Sequence, residues 1–128
     1  MLNPSTADAE VDDATIRSCT RLAKSWNYGG FVVVNLFAWR ATNPKDLLTA
    51  PDPIGPENEA YIGNAIAQTD FTICAWGANK MAQRRAVDIL QLLRKHDKIA
   101  HCLGTTKNGA PKHPLYIKTG TTPELWSL

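Results

Sequence analysis

Phe31-Val-Val-Val-Asn-Leu36 constrains this chain more than any other stretch. A strand with one wet face alternates apolar and polar residues. A continuous apolar, β-branched run is instead covered on both faces, as strands are in a parallel sheet flanked by helices. Asn35 breaks the run near its carboxyl end. A buried amide needs partners. Either Asn35 bonds a neighbouring loop backbone, or its paired donor and acceptor serve to recognise a ligand.

The elements around this strand alternate. Asp12 and Asp13 open a helix reaching about Trp26, where acids suit the positive end of the helix dipole. Ile16, Cys19, Leu22, Ala23 and Trp26 fall on one face at spacings of three and four. Asn27-Tyr28-Gly29-Gly30 ends it, with glycine available for a left-handed cap. Asn43 and Pro44 suit the start of a short helix through Ala50. Pro56 and Glu57 open another to about Gln68, with Ile62, Ala65 and Ile66 inward. Phe71 to Trp76 is a strand. Lys80 to His96 is the most strongly patterned helix, capped by Asn79, with Met81, Val87, Leu90 and Leu93 on its apolar face. Its polar face carries Arg84, Arg85, Gln91, Arg94 and Lys95. Lys98 to Leu103 is a short strand in which His101 packs. Gly104 to Pro114 is a turn-rich loop. Leu115-Tyr-Ile117 adds an edge strand or covers the sheet, and the tail with Leu125 and Trp126 docks on the core. This order predicts a single α/β domain over 1–128: three layers, with a mostly parallel sheet of about four strands and helices on both faces.

In a parallel sheet the strand carboxyl ends gather at one edge, where ligands bind. Three such ends carry unusual residues: Asn35 to Arg40, Trp76-Gly77, and the loop from Gly104 to His113. A fourth is the opening Met1-Leu-Asn-Pro-Ser-Thr-Ala-Asp8. Pro4 lacks a backbone donor and biases Asn3 toward extended geometry, so a strand stops there. Asn3, Ser5, Thr6 and Asp8 follow as small hydrogen-bonding side chains and are read as the floor of one site. Two residues ahead of Asn3 are too few to hold a sheet position. The expectation is a truncated first strand, with more chain upstream, or a fold that tolerates a stub.

Composition narrows the class further. A chain of 128 residues buries a real core as one domain. No apolar run is long enough to cross a membrane, and the polar, acidic opening does not read as a signal peptide. Three scattered cysteines, Cys19, Cys74 and Cys102, suggest free thiols in a reducing cytoplasm. Residues 1–78 hold 5 basic and 9 acidic side chains, and residues 79–128 hold 9 and 3. The basic second half suits either a phosphate-bearing partner or a solvated helix face.

Several chemistries lack their residues. Three Cys and three His form no Cys-x-x-Cys or His-x-x-x-His pair, so no metal and no other cofactor is expected. Ser5 has no Gly-x-Ser-x-Gly setting, and Cys74 and Cys102 sit inside strands. No Walker-type phosphate loop occurs. What remains is amide plus imidazole: Asn3, Asn35 and His113, surrounded by Trp39, Arg40, Trp76, Gly77 and Tyr116. Such a set holds a flat heterocycle by stacking and edge hydrogen bonds. Arg40 faces that site or pairs with an acid such as Asp46 or Asp8. A glycine at position 77 permits an anion to approach the backbone, or simply a tight turn.

The runs Leu2–Asp8, Asn35–Thr42, Gly55–Asn58, Trp76-Gly77 and His113–Tyr116 together resemble a bacterial and phage family of unknown function, catalogued as number 1643. Members of that family usually carry a segment before the Asn-Pro-Ser-Thr run. More distantly, Asn3-Pro4, Val34-Asn35, Ala75-Trp76-Gly77 and His113-Pro114 are similar, in order, to the motifs of the uracil-DNA glycosylase superfamily. That resemblance implies a glycosylase-like fold. It also implies that Asn3 positions a water, with Asp8 nearby, that Asn35 reads a base edge, and that His113 stabilises charge leaving on the base. The bond broken would be N-glycosidic, through an oxocarbenium-like sugar. Ser5 stands where those enzymes have glycine, and Leu115 where they have serine.

Three readings follow. The chain is a glycosylase-like protein acting on a nucleobase in DNA or a nucleotide; or it is a nucleotide- or small-molecule-binding domain without catalysis; or it is a protein-interaction module whose polar loops are structural. Nothing in the sequence sets the oligomeric state.

Overall fold

The computed structural model describes Met1 and residues 9–37, 54–55, 57–115 and 117–128, with the side chains of the first helix described from residue 14 onward. Six elements follow in order: α1 (Ala9–Ser25), α2 (Asn58–Gln68), β1 (Thr72–Cys74), α3 (Lys80–Lys95), β2 (Ala100–Cys102) and β3 (Glu124–Leu125). The expected short helix from Asn43 to Ala50 lies outside the described residues.

The fold is mixed α/β around a small mixed sheet of order β1-β2-β3. β1 and β2 run parallel, with Ile73 opposite His101 and Cys74 opposite Cys102. β3 returns antiparallel, with Leu125 opposite His101. An antiparallel strand from the tail was not foreseen. Its two residues carry no strand pattern of their own, and the ladder is held by the next residue. Trp126 donates its backbone N–H to Ala100 at 3.0 Å and its indole N–H to Gly109 at 2.9 Å. Its ring stands edge-on to Trp76 at 5.3 Å, a favoured aromatic geometry. Trp126 docks as expected. Leu125 does not: it is 73% exposed.

Alternate residues along β1 and its continuation enter different clusters, as the two-residue period of a strand requires. Cys74 and Trp76 pack with Ile62 and Ile66 of α2 and with Ala86, Ile89 and Leu93 of α3. Ile73 and Ala75 pack with Leu22 and Trp26, with Leu103, and with Ile117. Ile117 therefore covers the sheet and adds no strand. α1 turns inward much of the face its apolar spacing suggested: Leu22 and Ala23 are buried and Trp26 packs on the core, with Thr15 and Ser18 buried beside them, while Ile16 is exposed. Thr20, by contrast, is not on the buried face and bonds back to the Ile16 carbonyl at 2.8 Å.

Two helices end in the same way, and neither uses glycine. Asn27 (φ 64°) and Asp97 (φ 54°) take the left-handed position. The following amides, Tyr28 and Lys98, reach back to the Ala23 and Leu93 carbonyls at 2.9 and 2.8 Å. This is the Schellman closure, with Asn and Asp as the non-glycine residues that best tolerate it. At the other end of α3, Asn79 accepts the Met81 N–H at 2.9 Å, as expected of its cap.

The segment expected to be the best strand departs most. Residues 31–35 belong to no strand among the described residues, and Phe31 and Val32 are 40% and 64% exposed instead of covered on both faces. Val34 packs against the core, and Leu36 and Phe37 are buried in it.

Trp126→Ala is expected to cost roughly 3–5 kcal/mol in urea unfolding, the range for deleting a buried aromatic. Leu125→Ala, one residue away on the same strand, is expected to stay within about 0.5 kcal/mol.

Candidate functional site

The end of the 31–37 segment is fixed by its backbone. The Met1 amine donates to the Val34 carbonyl at 2.8 Å, and the Leu36 N–H donates to the Met1 carbonyl at 2.8 Å. That is the bond pattern of parallel pairing, with Asn35 opposite Met1. From the other side, the Asn58 amide nitrogen donates to the carbonyls of Asn35 (2.9 Å) and Leu36 (2.8 Å). Arg85 Nε also donates to Leu36, at 3.1 Å. Arg85 is 2% exposed, against the expectation that it lies on the polar face of α3. Its charge is met by Glu59 at 2.7 Å and Asp88 at 3.2 Å.

β1 ends at a second turn on the same edge. Gly77 has φ +79°, which a side chain would strain. Its N–H donates to the Pro111 carbonyl at 2.8 Å, so the tight-turn reading of this glycine holds and that donor is not free for an anion. The loop after β2 folds back through a Thr105–Pro111 bridge and a Thr106–Gly109 turn. It brings His113 beside Gly77, where a Cβ on the glycine would stand 3.8 Å from the His113 Cβ. His113 Nδ1 accepts the Leu115 N–H at 3.1 Å. The ring is then a neutral imidazole with its proton on Nε2.

Burial and the nearby N-terminal charge both lower the His113 pKa below its ordinary value. The Met1 amine is lowered by burial to about 6. Both groups are therefore largely uncharged at neutral pH. The thiols go the other way. Burial raises all three, Cys74 to about 12, so none supplies a thiolate. His101 packs on the Phe71 ring at 4.2 Å, as its alternation suggested.

Of the residues singled out in the sequence, the structure brings together the surroundings of Met1, Asn35, Gly77 and His113. Trp76 lies behind them, its ring in the core. Asn3, Ser5, Thr6, Asp8, Trp39, Arg40 and Tyr116 lie outside the described residues. Two residues that position the site were missed, Asn58 and Arg85. Both sit on inward stripes: Asn58 with Ile62 and Ile66, Arg85 with Ala82, Ala86 and Ile89. A polar residue on an apolar stripe was the available signal.

Asn58→Ala leaves buried carbonyls short of a donor, and about 2 kcal/mol of stability is expected to be lost in urea unfolding. Asn58→Asp should cost more, because a carboxylate would face two carbonyl oxygens. Acid should also destabilise the fold. With folded pKa values below the unfolded ones, the unfolded chain binds more protons. Stability is complete above the ordinary values of 8.0 for the amine and 6.5 for the imidazole, and is lost as pH falls through the lowered values. For the amine, two pKa units amount to about 3 kcal/mol. Unfolding free energies measured between pH 8.5 and 5.5 should fall accordingly, and Nα-acetylation of Met1 should flatten the upper part of that slope.

No curated protein and no solved structure matches the chain. A family described as "Protein of unknown function (DUF1643)" matches residues 1–115, which include both carbonyl-bonding residues and His113, and the chain belongs to that family.

Proposed function

We propose that the edge formed by Met1, Asn35, Gly77 and His113 recognises a flat, uncharged heterocycle of the nucleobase type, in a nucleotide or in DNA. The observation that carries this reading is the lack of charge among the described residues of that edge. The imidazole is neutral, the buried amine is largely neutral at pH 7, and the Gly77 N–H is occupied. A phosphate site would need the opposite, free cations or free amides. Neutral donors and acceptors instead suit the edge of a base.

The chemistry in keeping with this arrangement is N-glycosidic hydrolysis on a fold of the glycosylase type, a three-layer sandwich with a fourth parallel strand. In that reading His113 donates from Nε2 to an oxygen of the departing base and so disperses the negative charge that builds there. Asn35 reads the base edge, and Asn3 with Asp8 positions the attacking water. Ser5, Thr6, Trp39, Arg40 and Tyr116 border the same loops. His113 is held for its role by Leu115. An imidazolium would lose that bond, since Nδ1 could no longer accept.

The test uses oligonucleotides carrying uracil, hypoxanthine or a mismatch, scored for alkali-labile breaks. Breaks are expected from the parent chain, with a loss of about 100-fold or more in His113→Asn. Asparagine keeps an acceptor for the Leu115 N–H, so the fold should survive. Activity should hold above pH 6.5 and fall below it, as the lowered His113 pKa is crossed. Binding of free bases without cleavage would instead mark a binding domain, and loss of folding in His113→Asn would mark a structural histidine.

A further inference from the structure

Two glycines stand just past the ends of β1 and β2, and consecutive residues of one loop lie against them. Gly77 has φ +79° and Gly104 has φ +112°. His113 lies on the first. Lys112 lies on the second: a Cβ at Gly104 would stand 3.5 Å from the Lys112 Cδ, 3.7 Å from its Cε and 3.8 Å from its Nζ. A side chain at position 104 would contend with that lysine for space. The backbone beneath Lys112 is fixed. Its own N–H donates to the Gly104 carbonyl at 3.0 Å, and the preceding Pro111, fully buried, accepts the Gly77 N–H at 2.8 Å.

The course of this side chain differs from that of an idle surface lysine. A lysine that only covers carbon lifts its ammonium away into water. Here Nζ lies nearly as low over the glycine as the methylenes do. Pairing with a carboxylate would also draw it down, but among the described residues both ion pairs belong to Arg85. The neighbouring sequence holds no acid either. Residues 98–123 contain four lysines and no Asp or Glu, and residues 71–87 contain no Asp or Glu. A cation without a counter-charge among the described residues thus sits one residue from the neutral imidazole, over the end of the adjacent strand.

Adjacent strands are about 5 Å apart, so Lys112 and His113 can reach one ligand of nucleotide size. The two groups ask for different things. The edge at His113 suits an uncharged ring, whereas the ammonium suits an anion. A nucleotide carries both, a flat base and, one sugar away, a phosphate. An ammonium on a flexible stem is a point charge suited to phosphate oxygens.

We propose that Lys112, laid across Gly104, binds the phosphate of the ligand whose base meets His113. The substrate class is then a phosphorylated nucleoside, free or within a strand, and neither a free base nor a nucleoside. The base rests on the reading of the edge given under the proposed function; the phosphate rests on Lys112 alone.

The test is titration calorimetry with the 2′-fluoro-2′-deoxy forms of uridine and inosine, which resist glycosidic cleavage. Their 5′-monophosphates, short single strands carrying each, and deoxyribose 5-phosphate complete the set. Phosphorylated ligands are expected to bind about tenfold tighter than the nucleosides. Lys112→Met keeps the stem and removes the charge; it should abolish that margin and leave nucleoside binding unchanged. Lys112→Arg should retain the margin, and Lys107→Gln and Lys118→Gln should not alter it. An unchanged Tm shows that each variant is folded. Where the natural ligand is a strand, the strand should outbind the monophosphate, and the slope of log Kd against log salt should fall by about 1 in Lys112→Met. Where it is the free nucleotide, the monophosphate should bind at least as well as the strand. Equal binding of nucleoside and monophosphate, or a margin that survives Lys112→Met, overturns the proposal and leaves the base reading standing. Lys112-dependent binding of deoxyribose 5-phosphate, with no gain from either base, sinks the base reading and keeps the phosphate site. Absence of binding by every ligand overturns both.

Discussion

Two carbonyl oxygens, those of Asn35 and Leu36, govern the arrangement of this molecule. A carbonyl buried without a donor costs about as much as a good hydrogen bond contributes, so the end of the 31–37 segment is stable only where donors meet it. Asn58 and Arg85 supply them from α2 and α3. The same two side chains therefore set where the segment stops relative to both helices. Leu36 and Phe37 enter the core at that point, and Asn35 is placed opposite Met1. Without this fixation the exposed stretch before it, Phe31 to Val33, would have little to hold its direction.

Arg85 shows how the charge is accommodated. A buried guanidinium is tolerable only when it is paired and bonded. Glu59 and Asp88 are both substantially exposed, so they remain hydrated while neutralising it. The basic side chains nearby on α3, Arg84, Arg94 and Lys95, face solvent. Of the nine basic residues in the second half of the chain, four thus stand on the wet face of α3, one serves structure, and Lys98, Lys107, Lys112 and Lys118 lie beyond the helix.

Much of this was legible in the sequence, and the exceptions have physical causes. α2 and α3 were read nearly to their ends because their apolar stripes and the Asn79 cap are local signals. The ends of α1 and α3 were open to misreading. A left-handed closing residue is most often glycine, yet Asn27 and Asp97 fill that role while Gly29 and Gly30 do not. Val87 fell on the apolar stripe of α3 but lies at its margin and is exposed. Asn58 was not singled out as a donor and Arg85 was placed on the polar face of α3, because their partners are carbonyls some twenty and fifty residues away, which no local window contains. The β3 ladder was invisible for the same cause, since Glu124-Leu125 is specified by Trp126 docking across the sheet. At the candidate site, the convergence of Asn35, Gly77 and His113 could be anticipated from parallel-sheet topology alone. The tautomer of His113 could not, because it depends on the single Leu115 N–H.

In the proposed reading, that tautomer, with the amine opposite Asn35, determines what kind of ligand the edge can favour. Hydrogen bonds between neutral groups discriminate by geometry, whereas a buried charge binds most things of opposite sign. An edge whose donors are neutral rewards a ligand for matching positions of donors and acceptors, and it penalises a mismatch by leaving polar atoms unpaired. The penalty grows with burial, and here burial comes from the fold: Leu36, Trp76 and Pro114 are all buried. The lowered pKa values and the selectivity expected of the edge thus share one origin, the burial of strand ends that Asn58 and Arg85 make possible.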